Sequence, residues 1–101
     1  MLSQRVRELR LANSWSQVEL ANRLNIAKQT VSNWENDNIQ PSIEMLIRLS
    51  RIFNVTTDYL LGLDDVPRIS VEGLPATVAA HLSLLIDDYR KSAQKDAPRP
   101  E

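Results

Sequence analysis

The sequence has no cysteine, one histidine and two glycines among 101 residues. Without Cys, and with His81 alone, it has no Cys/His zinc site, no thiol nucleophile and no disulfide framework. A Ser-His-Asp arrangement would have a single candidate base. Gly62 and Gly73 are too few for a Gly-rich phosphate loop or a dinucleotide fingerprint. Long apolar runs are also missing. The longest are short, such as Tyr59–Leu61 and Leu84–Ile86, whereas a spanning helix needs about 20 apolar residues. Arg5, Arg7, Glu8 and Arg10 near the N-terminus precede no apolar stretch, so no signal peptide is read there. A soluble, cytoplasmic protein without cofactor or metal is expected.

The glycines and prolines sit unevenly. Apart from Pro41, all of them lie from residue 62 onward. An all-β fold needs turn residues throughout, so the first 40 residues are expected to be packed helices with tight connections. Leu2, Val6 and Leu9 recur at helical spacing and give a first helix. Ser16 can cap a second, with Glu19 closing a capping box. Leu20, Ala21 and Leu24 form its inward side, and Asn25 suits a left-handed C-cap. A third helix covers about 27–36, with Val31 and Trp34 inward. Pro41-Ser42 opens a fourth, whose stripe is Leu46, Leu49, Ile52 and Phe53 and which Asn54 ends. Thr56 or Thr57 caps a short fifth helix carrying Leu60 and Leu61, with Gly62 as terminator. Trp15, Trp34, Phe53 and Tyr59 are expected in the core. The fold class is therefore all-α: a five-helix domain at 1–62, a linker at 63–75, an amphipathic helix at 76–95 and a tail at 96–101.

Residues 16–36 place two short helices around the turn Asn25-Ile26. Ala21 is small where they cross, and Leu20, Leu24, Ile26, Val31 and Trp34 face a shared core. This is a helix-turn-helix layout. Together with Ser16-Gln17, Glu19, Thr30-Val31-Ser32, Trp34-Glu35, Pro41-Ser42, Leu46 and Leu60-Leu61, it resembles the helix-turn-helix repressors of the phage Cro/CI (XRE) family over about residues 5–62. The resemblance implies a five-helix repressor-like domain in a bacterial or phage-encoded protein, nucleoid-associated when bound to DNA. Three positions depart from the family pattern. Asn25 stands where Gly is usual, Ala27 where Ser or Thr caps the recognition helix, and Asn36-Asp37-Asn38 where a basic residue and Gly are common.

In such proteins the second helix of the motif enters the major groove of double-stranded DNA. The outward residues Lys28, Gln29, Thr30 and Asn33 are the candidates for base contacts. Gln can pair with adenine N6 and N7, Lys with guanine O6 and N7, and Thr can meet a thymine methyl. Phosphate contacts are expected from Gln17, which resembles the family's phosphate clamp, and from Ser32, Asn36, Asn38 and Gln40; Arg23 is a further candidate. The resemblance assigns Arg10 elsewhere, to a structural ion pair with Glu35 joining the first and third helices.

Arg68-Ile69-Ser70-Val71-Glu72 alternates and reads as a short strand or an extended arm. Pro75 suits a first helical turn. Beyond it, Val78, Leu82, Leu85, Ile86 and Tyr89 form an apolar stripe with Leu74, opposite Ser83, Asp87, Asp88, Arg90, Lys91 and Lys95. His81 reads as a surface or interface residue. The stripe is expected to dimerise, with docking on the chain's own domain or on another protein as alternatives. The function read from the sequence is a sequence-specific transcriptional regulator, a repressor bound as a homodimer to a two-fold operator. The alternative is an antitoxin-like autoregulator whose C-terminal helix binds a protein partner. An enzyme is not expected, because Glu19, Glu35 and Asp58 are better explained by capping or pairing. The net charge of -1 does not exclude DNA: residues 1–62 hold seven bases against six acids, and the acidic excess lies beyond them.

Overall fold

The structure, a computed structural model, describes residues 1–96 and divides into two compact units, Met1–Ser70 and the residues from Val71 onward. The described residues hold six helices and no strand. The first unit contains α1 (Leu2–Ala12), α2 (Gln17–Leu24), α3 (Lys28–Glu35), α4 (Ile43–Ile52) and α5 (Thr57–Leu60), and the second contains α6 (Ala76–Asp96).

Three helices of the first unit start on a hydroxyl. Ser16, Ser42 and Thr56 each accept a hydrogen bond from the backbone N–H three residues on, at 3.1 Å. This satisfies one donor that a helix N-terminus leaves open. Only the Ser16 half of the expected capping box forms, since Glu19 returns no bond. Ala27 precedes α3 and offers no side-chain cap.

All five helices of this unit end in one motif. Ser14, Asn25, Asp37, Asn54 and Gly62 adopt positive φ between 54° and 79°. In each case the following residue's N–H reaches back five positions: Trp15 to Arg10, Ile26 to Ala21, Asn38 to Asn33, Val55 to Ser50 and Leu63 to Asp58. The positive-φ residue itself bonds three back. This is the Schellman closure, which satisfies the last carbonyls and turns the chain sharply. Four of the five positions are not Gly; all four are short polar residues, the class that tolerates this conformation best.

The turns fold the apolar faces onto one core: Val6, Leu20, Ala21, Leu24, Val31, Trp34, Leu49, Phe53, Val55 and Leu60. Burying each Leu or Val here stabilises the fold by about 1.5–3 kcal/mol. Leu2, Leu9, Trp15, Ile26, Met45, Leu46, Ile52 and Tyr59 line its edge. Trp15 and Tyr59 are thus half-buried rather than central. Trp15 stacks on Phe53 with ring centroids 5.8 Å apart, and the Arg23 guanidinium carbon lies 4.2 Å from the Trp15 ring centroid.

Two arginines fasten the outer helices. The Arg48 guanidinium donates to the Leu24 carbonyl at 2.6 Å and so caps the end of α2 from α4. Arg5 donates to the carbonyls of Tyr59 and Asp64 and pairs with Asp65 at 3.0 Å, with its guanidinium over the Tyr59 ring. Residues 63–65 are thereby tied to α1.

The strand considered for residues 68–72 is not formed. Residues 68–71 carry no regular structure, and a turn at Glu72-Gly73, with Gly73 at φ 80°, follows. Pro75 stands just before α6, where its carbonyl accepts from Val78 and Ala79, rather than inside the first turn. α6 has 21 residues. Val78, Leu82, Leu85, Ile86 and Tyr89 are all exposed in the single chain, from 38% for Val78 to 75% for Tyr89. The expected tail, beyond Asp96, lies outside the described residues. No described helix is long and apolar enough to cross a membrane.

Candidate nucleic-acid interface

α3 is built around its two buried residues. Val31 and Trp34, three apart, share one side and enter the core. That fixes which residues remain outside. Lys28 and Gln29 are exposed, and Thr30, Ser32 and Asn33 are half-buried at the rim. Ala21 is buried on α2, the neighbour that α3 packs against. Asn25, at φ 56° and ψ 48°, makes the turn between them.

The C-terminal end of α3 is held from α1. The Arg10 Nε donates to Glu35 Oε2 at 2.7 Å and Nη2 to Oε1 at 2.9 Å. The remaining Nη1 donates to the Trp15 carbonyl at 2.8 Å. The side chains are 10% and 3% exposed, so both charges are nearly removed from water and each is matched. The hydrogen bond to Glu35 raises the Arg10 pKa above its usual value, against burial, and the Glu35 charge adds to the effect. Glu35 Oε1 also accepts from Gln17 Nε2 at 3.4 Å. Gln17, the first residue of α2, therefore stands beside the end of α3, near Asn36.

Of the residues considered for contacts, Lys28, Gln29, Thr30, Ser32 and Asn33 lie on α3, Asn36 follows its last turn, and Asn38 and Gln40 lie in the loop beyond. Gln17 reaches the end of α3 from α2. Several pair with each other. Gln29 Nε2 donates to Asn33 Oδ1 at 3.1 Å, Asn36 Nδ2 to Ser32 Oγ at 3.2 Å and Gln40 Nε2 to Asp37 Oδ1 at 3.1 Å.

Positive charge is scarcer than the composition suggests. Of the seven bases in residues 1–62, Arg5, Arg10 and Arg48 are spent on the fold and Arg23 stacks on Trp15. Arg7, Lys28 and Arg51 make no hydrogen bond or ion pair among the described residues. Of these three, only Lys28 lies on α3. The described residues contain no cluster of His, Cys, Asp and Glu that could hold a metal ion.

Sequence reasoning missed the roles of Arg5 and Arg48, the core position of Val55, and the terminators Ser14 and Asp37. The last two had a signal: a short polar residue just after an apolar period. The arginines had none, because their acceptors are backbone carbonyls remote in sequence.

The Helix-turn-helix family model matches residues 6–60, which cover α2, the turn and α3. The HTH-type transcriptional regulator ImmR of Bacillus subtilis (strain 168) is 42% identical over 67 residues, 66% of this chain and 53% of that protein. The uncharacterized HTH-type transcriptional regulator YobD of the same organism is 38% identical over 72 residues, 71% of this chain and 64% of its own length. The match thus spans between half and two thirds of the length of these relatives. A solved complex of SinR and SinI proteins superposes with a TM-score of 0.55 at 24% identity, over 91% of this chain and 99% of that one, a likeness of fold. The chain belongs to the helix-turn-helix family of Cro/CI (XRE) type, whose members are DNA-binding regulators and not enzymes.

Proposed function

We propose that this helix-turn-helix chain is a sequence-specific transcriptional regulator that represses by occupying a two-fold operator as a homodimer. The observation that carries the reading is the outward row of α3. Lys28, Gln29, Thr30 and Asn33 lie opposite or beside the buried Val31 and Trp34, on a helix whose N-terminus has no side-chain cap. An open helix N-terminus suits an anionic partner. In the major groove, Gln29 reads adenine, Lys28 guanine and Thr30 a thymine methyl. Gln17, Ser32, Asn36, Asn38 and Gln40 serve the flanking phosphates as neutral donors, which fix register without reading sequence.

Dimerisation is assigned to α6. One small module reads one half-site, and two-fold proteins read half-sites about 34 Å apart. The exposed stripe of Val78, Leu82, Leu85, Ile86 and Tyr89 supplies an apolar surface for a second copy.

Binding-site selection from random duplexes tests the reading. A palindromic winner is expected, with a log–log salt slope of roughly -0.9 per neutralised phosphate. The few uncommitted cations predict a shallow slope and weak binding to unrelated DNA. A non-palindromic winner, or equal affinity for all duplexes, would overturn it. Sedimentation of the full chain tests α6: a dimer that Leu82→Asp with Leu85→Asp converts to monomer supports the assignment. A wild-type monomer would overturn the dimer and leave α6 to dock on the chain's own domain or on a different protein, the latter being the antitoxin-like reading.

A further inference from the structure

We infer that Asn33 sets the orientation of the Gln29 amide and thereby which base Gln29 selects, an inference that rests on α3 reading the major groove. The two residues are four apart, one helical turn, where side chains of a helix meet. Gln29 Nε2 donates to Asn33 Oδ1 at 3.1 Å. That bond decides which end of each amide is which.

A glutamine amide has one acceptor and two N–H donors. Its oxygen and the N–H on the same side form the edge that matches adenine, accepting from N6 and donating to N7. The other N–H points away from that edge. Giving Asn33 the N–H that points away from that edge leaves Gln29 the oxygen and the N–H that match adenine. It also stops the amide from turning over. A freely turning Gln offers donors alone as readily as the mixed edge, and donors alone suit guanine O6 and N7. The bond to Asn33 therefore favours adenine over guanine at the base pair facing Gln29.

The same bond changes Asn33. One lone pair of its oxygen is engaged, while both Nδ2 hydrogens remain uncommitted. Asn33 is then chiefly a donor toward an acceptor, such as guanine O6 or N7 or thymine O4. Gln29 and Asn33 act as one unit that reads adenine beside an acceptor-bearing base edge. The neighbouring Asn36 to Ser32 bond does not involve either residue. The Asn33 main-chain carbonyl, which accepts from Asn38, is untouched by a side-chain change.

The test uses the full chain and its selected duplex, with each base pair changed in turn and affinities measured by competition. Gln29→Ala identifies the base pair that Gln29 faces. At that pair, Asn33→Ala should lower the preference for A over G by at least about fivefold, the low end of what one bidentate contact is worth. Adding Asn33→Ala to Gln29→Ala should change that preference no further. Asn33→Asp keeps an acceptor for Gln29. It should retain the preference at that pair while weakening all duplexes together through its charge. An unchanged A-over-G preference in Asn33→Ala, or its loss in Asn33→Asp, would overturn the coupling. If Gln29→Ala altered no base position, the groove reading of α3 itself would fail, a result distinct from failure of the Asn33 role alone.

Discussion

Arg10 grips both oxygens of the Glu35 carboxylate, Nε to Oε2 at 2.7 Å and Nη2 to Oε1 at 2.9 Å, and so joins α1 to the end of α3. Both side chains are buried, which makes the pair a demand on its own integrity. Arg10→Met removes one charge and leaves Glu35 unmatched. A loss of about 3–5 kcal/mol is expected, the range for breaking a buried pair. Urea denaturation measures it. Arg10→Met combined with Glu35→Leu should recover much of that loss, because two apolar side chains leave no charge unmatched. If Arg10→Met kept full stability while losing DNA affinity, Arg10 would be a DNA ligand and not a brace.

Arg48 closes α2 from a distance. Replacing it with Met keeps most of the stem and removes the bond to the Leu24 carbonyl. A loss of about 1–2 kcal/mol is expected, within reach of a hydrogen bond to a charged group. Thermal unfolding reads it. Because Arg48 bonds the end of α2 and none of the outward residues of α3, base preference should stay unchanged in the folded variant.

Ala27 is an improvable position. Ala27→Ser should add the hydroxyl cap that the other caps of this unit illustrate, stabilising by about 1 kcal/mol. At the turn, Asn25→Val should cost about 1–2 kcal/mol, since a side chain with a branched Cβ resists positive φ. A denaturation midpoint that falls in Ala27→Ser would show the α3 N-terminus to be satisfied already.

Asp64 accepts from the Val66 N–H and from Arg68, and these bonds hold its carboxyl below the ordinary value of 3.8. A depressed pKa in the folded state stabilises the fold above pH 3.8. That contribution disappears as the pH falls through the lower folded value. Between neutral pH and about pH 5 it should be constant. A carbon-13 titration of the carboxyl checks this, and Val66→Pro, which removes the N–H, should move the midpoint upward. A midpoint at or above 3.8 in the wild-type chain would contradict the bonding.

Helix starts at Ser16, Ser42 and Thr56 and stops at Asn25, Asn54 and Gly62 are decided within three to five residues, so their signals are local. The strand considered at 68–72 rested on five alternating residues, too short a pattern to hold a ladder with no partner strand. Instead, Ser70 offers its carbonyl to Asn54 within the first unit.

The amino-acid order alone determined the helical periods, most of the caps, the helix-turn-helix spacing and the outward row on α3. Each depends on neighbours within a turn or two. Only the tertiary structure decided how the polar residues are divided between holding the fold and facing outward. Arg5 and Arg48 look like free positive charge in the sequence. They become fasteners because chain closure brings Tyr59 and Leu24 to them from 54 and 24 residues away. What is left on α3 is one lysine and a set of amides, a surface suited to discrimination more than to attraction.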